Sequence, residues 1–402
     1  MENTTTENNN INNTVKKSRK LKFFVIFLAF IAVAELSSFI LLSRLNSMGF
    51  WPQQPFFHPY LGWKPPANAT LRLSSHAAYW EILNYHNIKT NEFRRPETPI
   101  IDDPEMHVAI TGGGPLMGVG TPDNEHSIPS LVGKLIHENL GIKAQVHNLA
   151  IGGYNSFQEM LNLLDYIKEN PLDLAVSVTG LNDYINGLNE PHMRSTGLVD
   201  SVYQRAEVIN NGMSLLSYIR TKSYAVEVMM SVLPPAYTRL HDYLSIQFGS
   251  TFTLMKEDPP PSDEMYKNIN ERVRITSLHF SMMELITKEY NTDFAVFLMP
   301  QTFTKKNLSE VEVKVSESWV NEEGRVSTDN LKLYGVKYYD RLNEVEKSYP
   351  FYDITDIFDN TNETRYVDLF TFNGVGAEGV ARAIFERIKP ILLKRKQEKT
   401  QS

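Results

Sequence analysis

The longest apolar stretch of the chain is Phe23–Leu42, interrupted by Glu35 and the serines Ser37 and Ser38. About 20 apolar residues match the thickness of a bilayer core, so the pattern predicts a membrane-crossing helix over 23–43. Residues 1–22 precede it as a tail, first an Asn/Thr-rich polar tract and then five basic residues, Lys16, Lys17, Arg19, Lys20 and Lys22. A polar tract of this kind buries too little apolar surface to offset its ordering entropy and reads as disordered. The basic cluster lies on one side of the run and Arg44 stands alone on the other, which orients the N-terminus to the cytoplasm and the body outward. A cleaved secretory signal is the rival reading, with Phe23–Ala34 as its apolar region and Ala32-Val33-Ala34 as a small-x-small cleavage site. Either reading exports the rest of the chain.

Beyond the anchor the period changes. Residues 44–105 are rich in Pro and aromatics and predict an extended leader packed on a domain edge. From 106 to 393 short apolar runs alternate with amphipathic segments. Runs at His107–Thr111, Ala144–Leu149, Leu172–Val178 and Phe294–Met299 predict strands. Spacing at Leu131, Val132, Leu135 and Ile136, at Phe157, Met160, Leu161, Leu164 and Ile167, and from Gly376 to Leu393 predicts helices. Strand–helix alternation at this spacing implies a parallel central sheet covered on both faces, an α/β/α sandwich of three layers. Residues 190–290 predict a helical insertion, 304–348 a charged helical flank, and 394–402 a tail.

Composition sharpens this picture by exclusion. The chain has 402 residues, no cysteine, and a net charge of −7. Thiolate zinc sites, iron–sulfur clusters and cysteine nucleophiles are ruled out. The charge is not evenly spread: residues 1–22 hold five basic and two acidic groups, +3, which leaves −10 on the exported side. An acidic body without a basic stripe argues against nucleic acid as a partner. The ten histidines show no ligand spacing and there is no His-Glu-x-x-His, so neither a metal nor a cofactor is expected.

In parallel sheets ligands bind beyond the C-terminal ends of the strands. Four segments fall there: Thr111–Gly120, Asn148–Ser156, Thr179–Asp183 and Val367–Gly374. In this order, with Gly180-Leu181-Asn182-Asp183 as the most specific piece and His58–Trp63 as a leader motif, the chain resembles the SGNH/GDSL hydrolase superfamily, and within it the membrane-anchored bacterial branch. The resemblance implies acyl transfer or ester hydrolysis by a serine, an oxyanion hole of backbone and Asn donors, and an Asp-x-x-His pair near the C-terminus. Carried over residue by residue, Gly153 matches the oxyanion glycine, Asn182 the oxyanion asparagine and Asp368 the aspartate of the pair. The serine position falls on Gly114 and the histidine position on Thr371, with Asp183 beside them as a pocket residue. The last histidine of the chain is His279. Glycine has no nucleophile, and threonine has no group that titrates near neutrality.

Each of these residues also has a plain structural use. The glycines suit a tight strand-to-helix turn, Asn182 and Asp183 suit a helix cap, and Asp368 a turn. A rebuilt catalytic pair would draw on Thr111, Ser127 or Ser156 with His107, His126 or His147. A dinucleotide site is suggested by Gly112, Gly114 and Gly118, but the second strand ends on Asn148 and no acid is placed to hold a ribose. The sequence thus leads to a membrane-anchored, extracytoplasmic, SGNH-like protein that has lost the standard mechanism and binds an acylated glycan or a membrane acyltransferase. An active esterase or O-acyltransferase with substitute residues, and a scaffold for polysaccharide assembly, are the alternatives.

Overall fold

The structure is a computed structural model that describes residues 22–27, 29–40, 56–58, 61–65, 67–73, 86–180, 182–184, 263–314 and 328–401. The basic tail up to residue 21, the start of the leader and residues 190–262 of the expected insertion lie outside the described residues. The N-terminal helix and the α/β domain fall in two separate compact units.

Helix α1, Lys22–Ile40, is the one helix among the described residues long and apolar enough to cross a membrane, a property that signal sequences share. Ser37 returns its hydroxyl to the Val33 carbonyl at 2.7 Å, which satisfies the polar group inside the helix. Phe23, Ile26, Phe30 and Val33 are exposed along it.

The domain is built on five parallel strands: β5 Met106–Gly112, β6 Ala144–Asn148, β7 Leu174–Thr179, β8 Asp293–Leu298 and β9 Phe351–Asp353, in the spatial order β6-β5-β7-β8-β9. Side chains alternate between the faces, and both faces are buried. Val108, Ile110, Val176, Val178 and Phe297 pack on one side with helices α3 (Ile128–Leu140) and α7 (Gly374–Gln401). Ala109, Ala175, Phe294 and Val296 face the other side, under α4 (Ser156–Ile167) and α5 (Asp263–Glu289). The domain is therefore an α/β/α sandwich with a parallel central sheet. Helix α6, Thr328–Glu344, packs on α5 through Tyr334, Tyr338, Tyr339 and Leu342, which join Ile269 and Val273 in a third apolar cluster.

The leader is more regular than an extended stalk. It forms two antiparallel hairpins, β1 Phe56–His58 with β2 Gly62–Lys64, and β3 Thr70–Leu73 with β4 His86–Lys89. Both are tied to the domain. Gln158 on α4 donates to the Leu61 carbonyl at 2.7 Å, Lys64 reaches Asp165 at 3.5 Å, and the Asn124 side chain bonds both backbone groups of Lys89. Leu61 itself is buried against Ile151 and Tyr154.

Two expectations are corrected. Residues 263–289 are a helix of the covering layer, packed on α4, not part of an insertion apart from it. Residues 394–401 are the last turns of α7 rather than a tail, because they carry charges that the sheet needs. Lys399 pairs with Asp173 at 2.6 Å at the start of β7, and Arg395 approaches Asp173 and Asp293. Ending the chain at Leu393 leaves the Asp173 carboxylate, 9% exposed, without its cation. Loss of about 1–3 kcal/mol is expected, measured as a lower midpoint in urea unfolding.

Candidate functional site

The first strand that enters the core, β5, ends in Gly112 and turns into the short helix α2, Gly114–Met117. The loops after β5, β6 and β7, the residue after β8 and the segment before α7 converge at the C-terminal edge of the sheet. The connections leave the adjacent strands β5 and β7 toward opposite sides, to β6 and to β8, and ligand sites form at such a switch point. There the residues enclose a pocket of about 160 Å³ lined by Gly113, Gly114, Gly153, Asn182, Asp183 and Thr371, with Glu159 and the apolar Pro115, Val178, Met299 and Phe370. Five of the six residues singled out in the sequence meet in it. Asp368 does not line it.

Several features hold the pocket in shape. Gly120 has φ +93° and comes so close to the C-terminal segment that an added Cβ would overlap the Phe372 carbonyl. Gly180 is equally confined against the Tyr339 hydroxyl, and that hydroxyl bonds the Met299 carbonyl. Gly153 takes φ +79°. Asp368 accepts the amides of Phe370 and Thr371 at 2.8 and 2.7 Å, so it shapes the turn that presents Thr371 to the pocket. The Asn182 amide donates to the Tyr154 carbonyl at 2.8 Å, which links the third segment to the second. Among the described residues the amide N–H groups of Gly114 and Gly153 donate to no protein group.

Asp183 has its own environment. It is 1% exposed and sits against Arg272, itself fully buried, at 2.6 Å. It also accepts the Ser156 amide, the Ser156 hydroxyl at 2.7 Å, and the hydroxyls of Thr179 and Thr276. The Ser156 hydroxyl has one proton and gives it to Asp183, so at 2.8 Å from His279 it accepts from Nδ1–H. Burial depresses the His279 pKa to about 4 and keeps the ring neutral. A serine whose proton is held by a buried carboxylate and whose own exposure is nil is no nucleophile.

The other combinations are likewise taken. Ser127 caps α3 and bonds the Asn124 carbonyl, His126 pairs with Asp123 at 2.7 Å, and His107 and His147 stack on each other with ring nitrogens 3.0 Å apart. None of the three hydroxyls considered from sequence is bonded to any of the three imidazoles. Thr111 instead donates to Glu159.

Glu159 is the residue that sequence reasoning missed. It lies in the first turn of α4, where a carboxylate ordinarily complements the helix end. Nothing in the sequence separates that use from another, since the residue reads as one more first-turn acid. In the structure it is buried, lines the pocket and has no cation beside it among the described residues. Thr111 and Ser177 each donate to Oε2 at 2.9 Å. Burial, and secondly the Asp183 charge, outweigh these bonds and push its pKa up to about 8.

Two outcomes follow. Gly120→Ala forces a left-handed alanine into the Phe372 carbonyl, which costs at least about 2 kcal/mol in urea unfolding. For Glu159 the folded pKa lies above the unfolded one, so its contribution to stability is complete below about pH 4.5 and is lost as pH rises through 8. Thermal melts of Glu159→Gln should therefore gain on the wild type progressively between pH 5 and 8.

Compared by sequence, the chain matches no protein-family model and no curated protein. Compared by structure, it is similar to TesA (9% identity, 71% of this chain and 99% of that one, TM-score 0.34). It is also similar to a GDSL-like lipase from Bacteroides thetaiotaomicron (11%, 71% and 89%, TM-score 0.31). A third is a variant of an acetyl xylan esterase from Geobacillus stearothermophilus (12%, 72% and 95%, TM-score 0.33). The strand order, the two helical layers and the convergence of the four loop segments on one pocket make the domain a three-layer α/β/α sandwich with a parallel central sheet and a candidate site at its strand ends.

Proposed function

We propose that this protein is held at the outer face of a membrane by α1 and that its pocket binds the acyl group of an O-acylated glycan without cleaving it. The observation that carries this reading is the pair Gly114 and Thr371. Both line the pocket, and neither brings a group able to act as a nucleophile or a base. What remains suits recognition. The unengaged amides of Gly114 and Gly153 and the carboxamide of Asn182 are donors for a carbonyl oxygen, and Val178, Met299 and Phe370 offer apolar contact to a short acyl chain. The Ser–His hydrogen bond found among the described residues, Ser156 to His279, is committed to Asp183. A role in modification of envelope or extracellular polysaccharide agrees with an acidic exported body behind a basic-flanked apolar helix.

The full-length protein in detergent should hydrolyse 4-nitrophenyl acetate no faster than buffer does. A serine fits at 114, since a Cβ there would meet Val119 and Gly152 at 3.5 and 3.9 Å, ordinary contact distances. Gly114→Ser combined with Thr371→His should raise hydrolysis at least about 100-fold over the wild type, the contribution of a positioned nucleophile and base. Wild-type hydrolysis that Asn182→Ala abolishes would overturn the reading in favour of substitute catalytic residues. A folded double variant without activity would show that Gly114 and Thr371 do not hold the assigned places.

A further inference from the structure

The pocket has polar character of an unusual kind. Among the described residues its lining holds no Lys, Arg or His, yet it includes two carboxyl groups, Asp183 and Glu159. They differ in what surrounds them. Asp183 is compensated by Arg272 from behind and by four further hydrogen bonds. Glu159 is 3% exposed and has no cation beside it among the described residues. Both of its protein hydrogen bonds, from Thr111 and Ser177, go to the same oxygen, Oε2. Oε1 has no partner among the described residues, on a side chain that lines the cavity.

An ionised Glu159 would be a second buried anion next to Asp183, opposed only by hydroxyl dipoles. A neutral one meets all of these constraints. Oε2, as the carbonyl oxygen, accepts the two hydroxyls, and Oε1 carries the proton. We propose that Glu159 is a ligand-binding residue, a neutral carboxylic acid whose Oε1–H donates to an oxygen of the bound acyl ligand and makes the pocket select an uncharged ester or amide over a free carboxylate. This inference rests on the acyl-binding reading above and names the chemistry of the ligand. An uncharged acyl group presents acceptor oxygens to the Gly114 amide, the Gly153 amide and Glu159, and it needs no counter-ion. A carboxylate would enter beside Asp183 with no cation to meet it and would lose its hydration. The pocket thereby tells an ester from the acid left by its hydrolysis.

The same arrangement makes binding depend on pH. Among the described residues the charged and titratable groups around Glu159 are few. Asp183 lies beside it; Arg272 and His279 on α5 reach it only through Asp183 and Ser156; and Tyr154 in the pocket wall, with Tyr338 and Tyr339 on α6, is kept protonated by burial. Of these, His279 is already neutral above about pH 4. Between pH 6.5 and 9.5 the group that changes charge is Glu159, whose raised pKa near 8 agrees with the geometry.

The test uses the full-length protein in detergent micelles, with N-methylacetamide as the uncharged probe and sodium acetate as the anionic one, both followed by saturation-transfer NMR. The wild type should bind the amide at pH 6.5, bind acetate at least about tenfold more weakly, and lose the amide roughly tenfold or more by pH 9.5. Glu159→Gln keeps a donor that cannot ionise and should hold the amide equally at both pH values. Glu159→Leu should weaken it about tenfold at pH 6.5 while its thermal melt shows a folded protein. Amide binding by Glu159→Leu at wild-type strength, acetate bound more tightly than the amide, or a pH profile unchanged in Glu159→Gln would each overturn the inference. An O-acetylated xylo-oligosaccharide run on the same three proteins separates the two levels. If it binds all three alike, the glycan reading stands and Glu159 has no part in it; if neither it nor the amide binds the wild type, both fall.

Discussion

The candidate site depends on one buried carboxylate. Asp183 collects donors from the start of α4, the end of β7 and the middle of α5, and it faces a guanidinium as deeply buried as itself. Neither charge could remain in the interior alone, since a buried ion without its partner is strongly unfavourable. Three elements from distant parts of the sequence are therefore held to a single geometry at the rim of the sheet. Asn182 precedes Asp183 directly, and Ser156 opens the helix that carries Glu159. The positions of Asn182 and Glu159 in the pocket follow from this joint.

Burial sets the electrostatics around that joint. Asp183 is met by the Arg272 guanidinium. His279, which shares Ser156 with it, stays neutral, and Glu159, which shares the pocket wall, is driven toward the acid form. Arg272 is engaged by Asp183 and offers nothing to Glu159. The result is a cavity with hydrogen-bond donors and, among the described residues, no positive charge, in a chain in which acidic residues predominate.

Much of the fold was legible because both signals that encode it are strong. The buried strands read as continuous apolar runs, the helices as 3.6-residue periods, and their alternation fixes a parallel sheet. The pocket was legible in its glycines and in Asn182, whose spacing places them at strand ends. What stayed hidden was hidden for physical reasons. Glu159 looks like any acid in a first helical turn, and its meaning comes from Thr111 and Ser177 across the sheet. The pairing of Ser156 with His279 spans 123 positions, and no local pattern announces it. Charged residues beyond Leu393 suggested a solvated tail, whereas Lys399 and Arg395 return to carboxylates at the starts of β7 and β8. The leader's hairpins were masked by prolines and aromatics that also suit extended chain.

The contact of Gly120 with Phe372 joins the first crossover of the sheet to the last segment before α7. Between them in the chain lie β6, β7, β8 and β9, each a parallel neighbour that must be in register before that segment can dock. Parallel pairing closes long loops before any contact compensates for them, so it forms slowly. A chain that emerges from its N-terminal end presents Phe370 and Thr371 after every strand. The donors of the pocket are then assembled while its wall is still missing, and until the wall arrives the apolar floor at Val178 and Met299 lies open to water. The wall of the candidate cavity thus comes late in chain order, after every strand and with α7 alone still to follow.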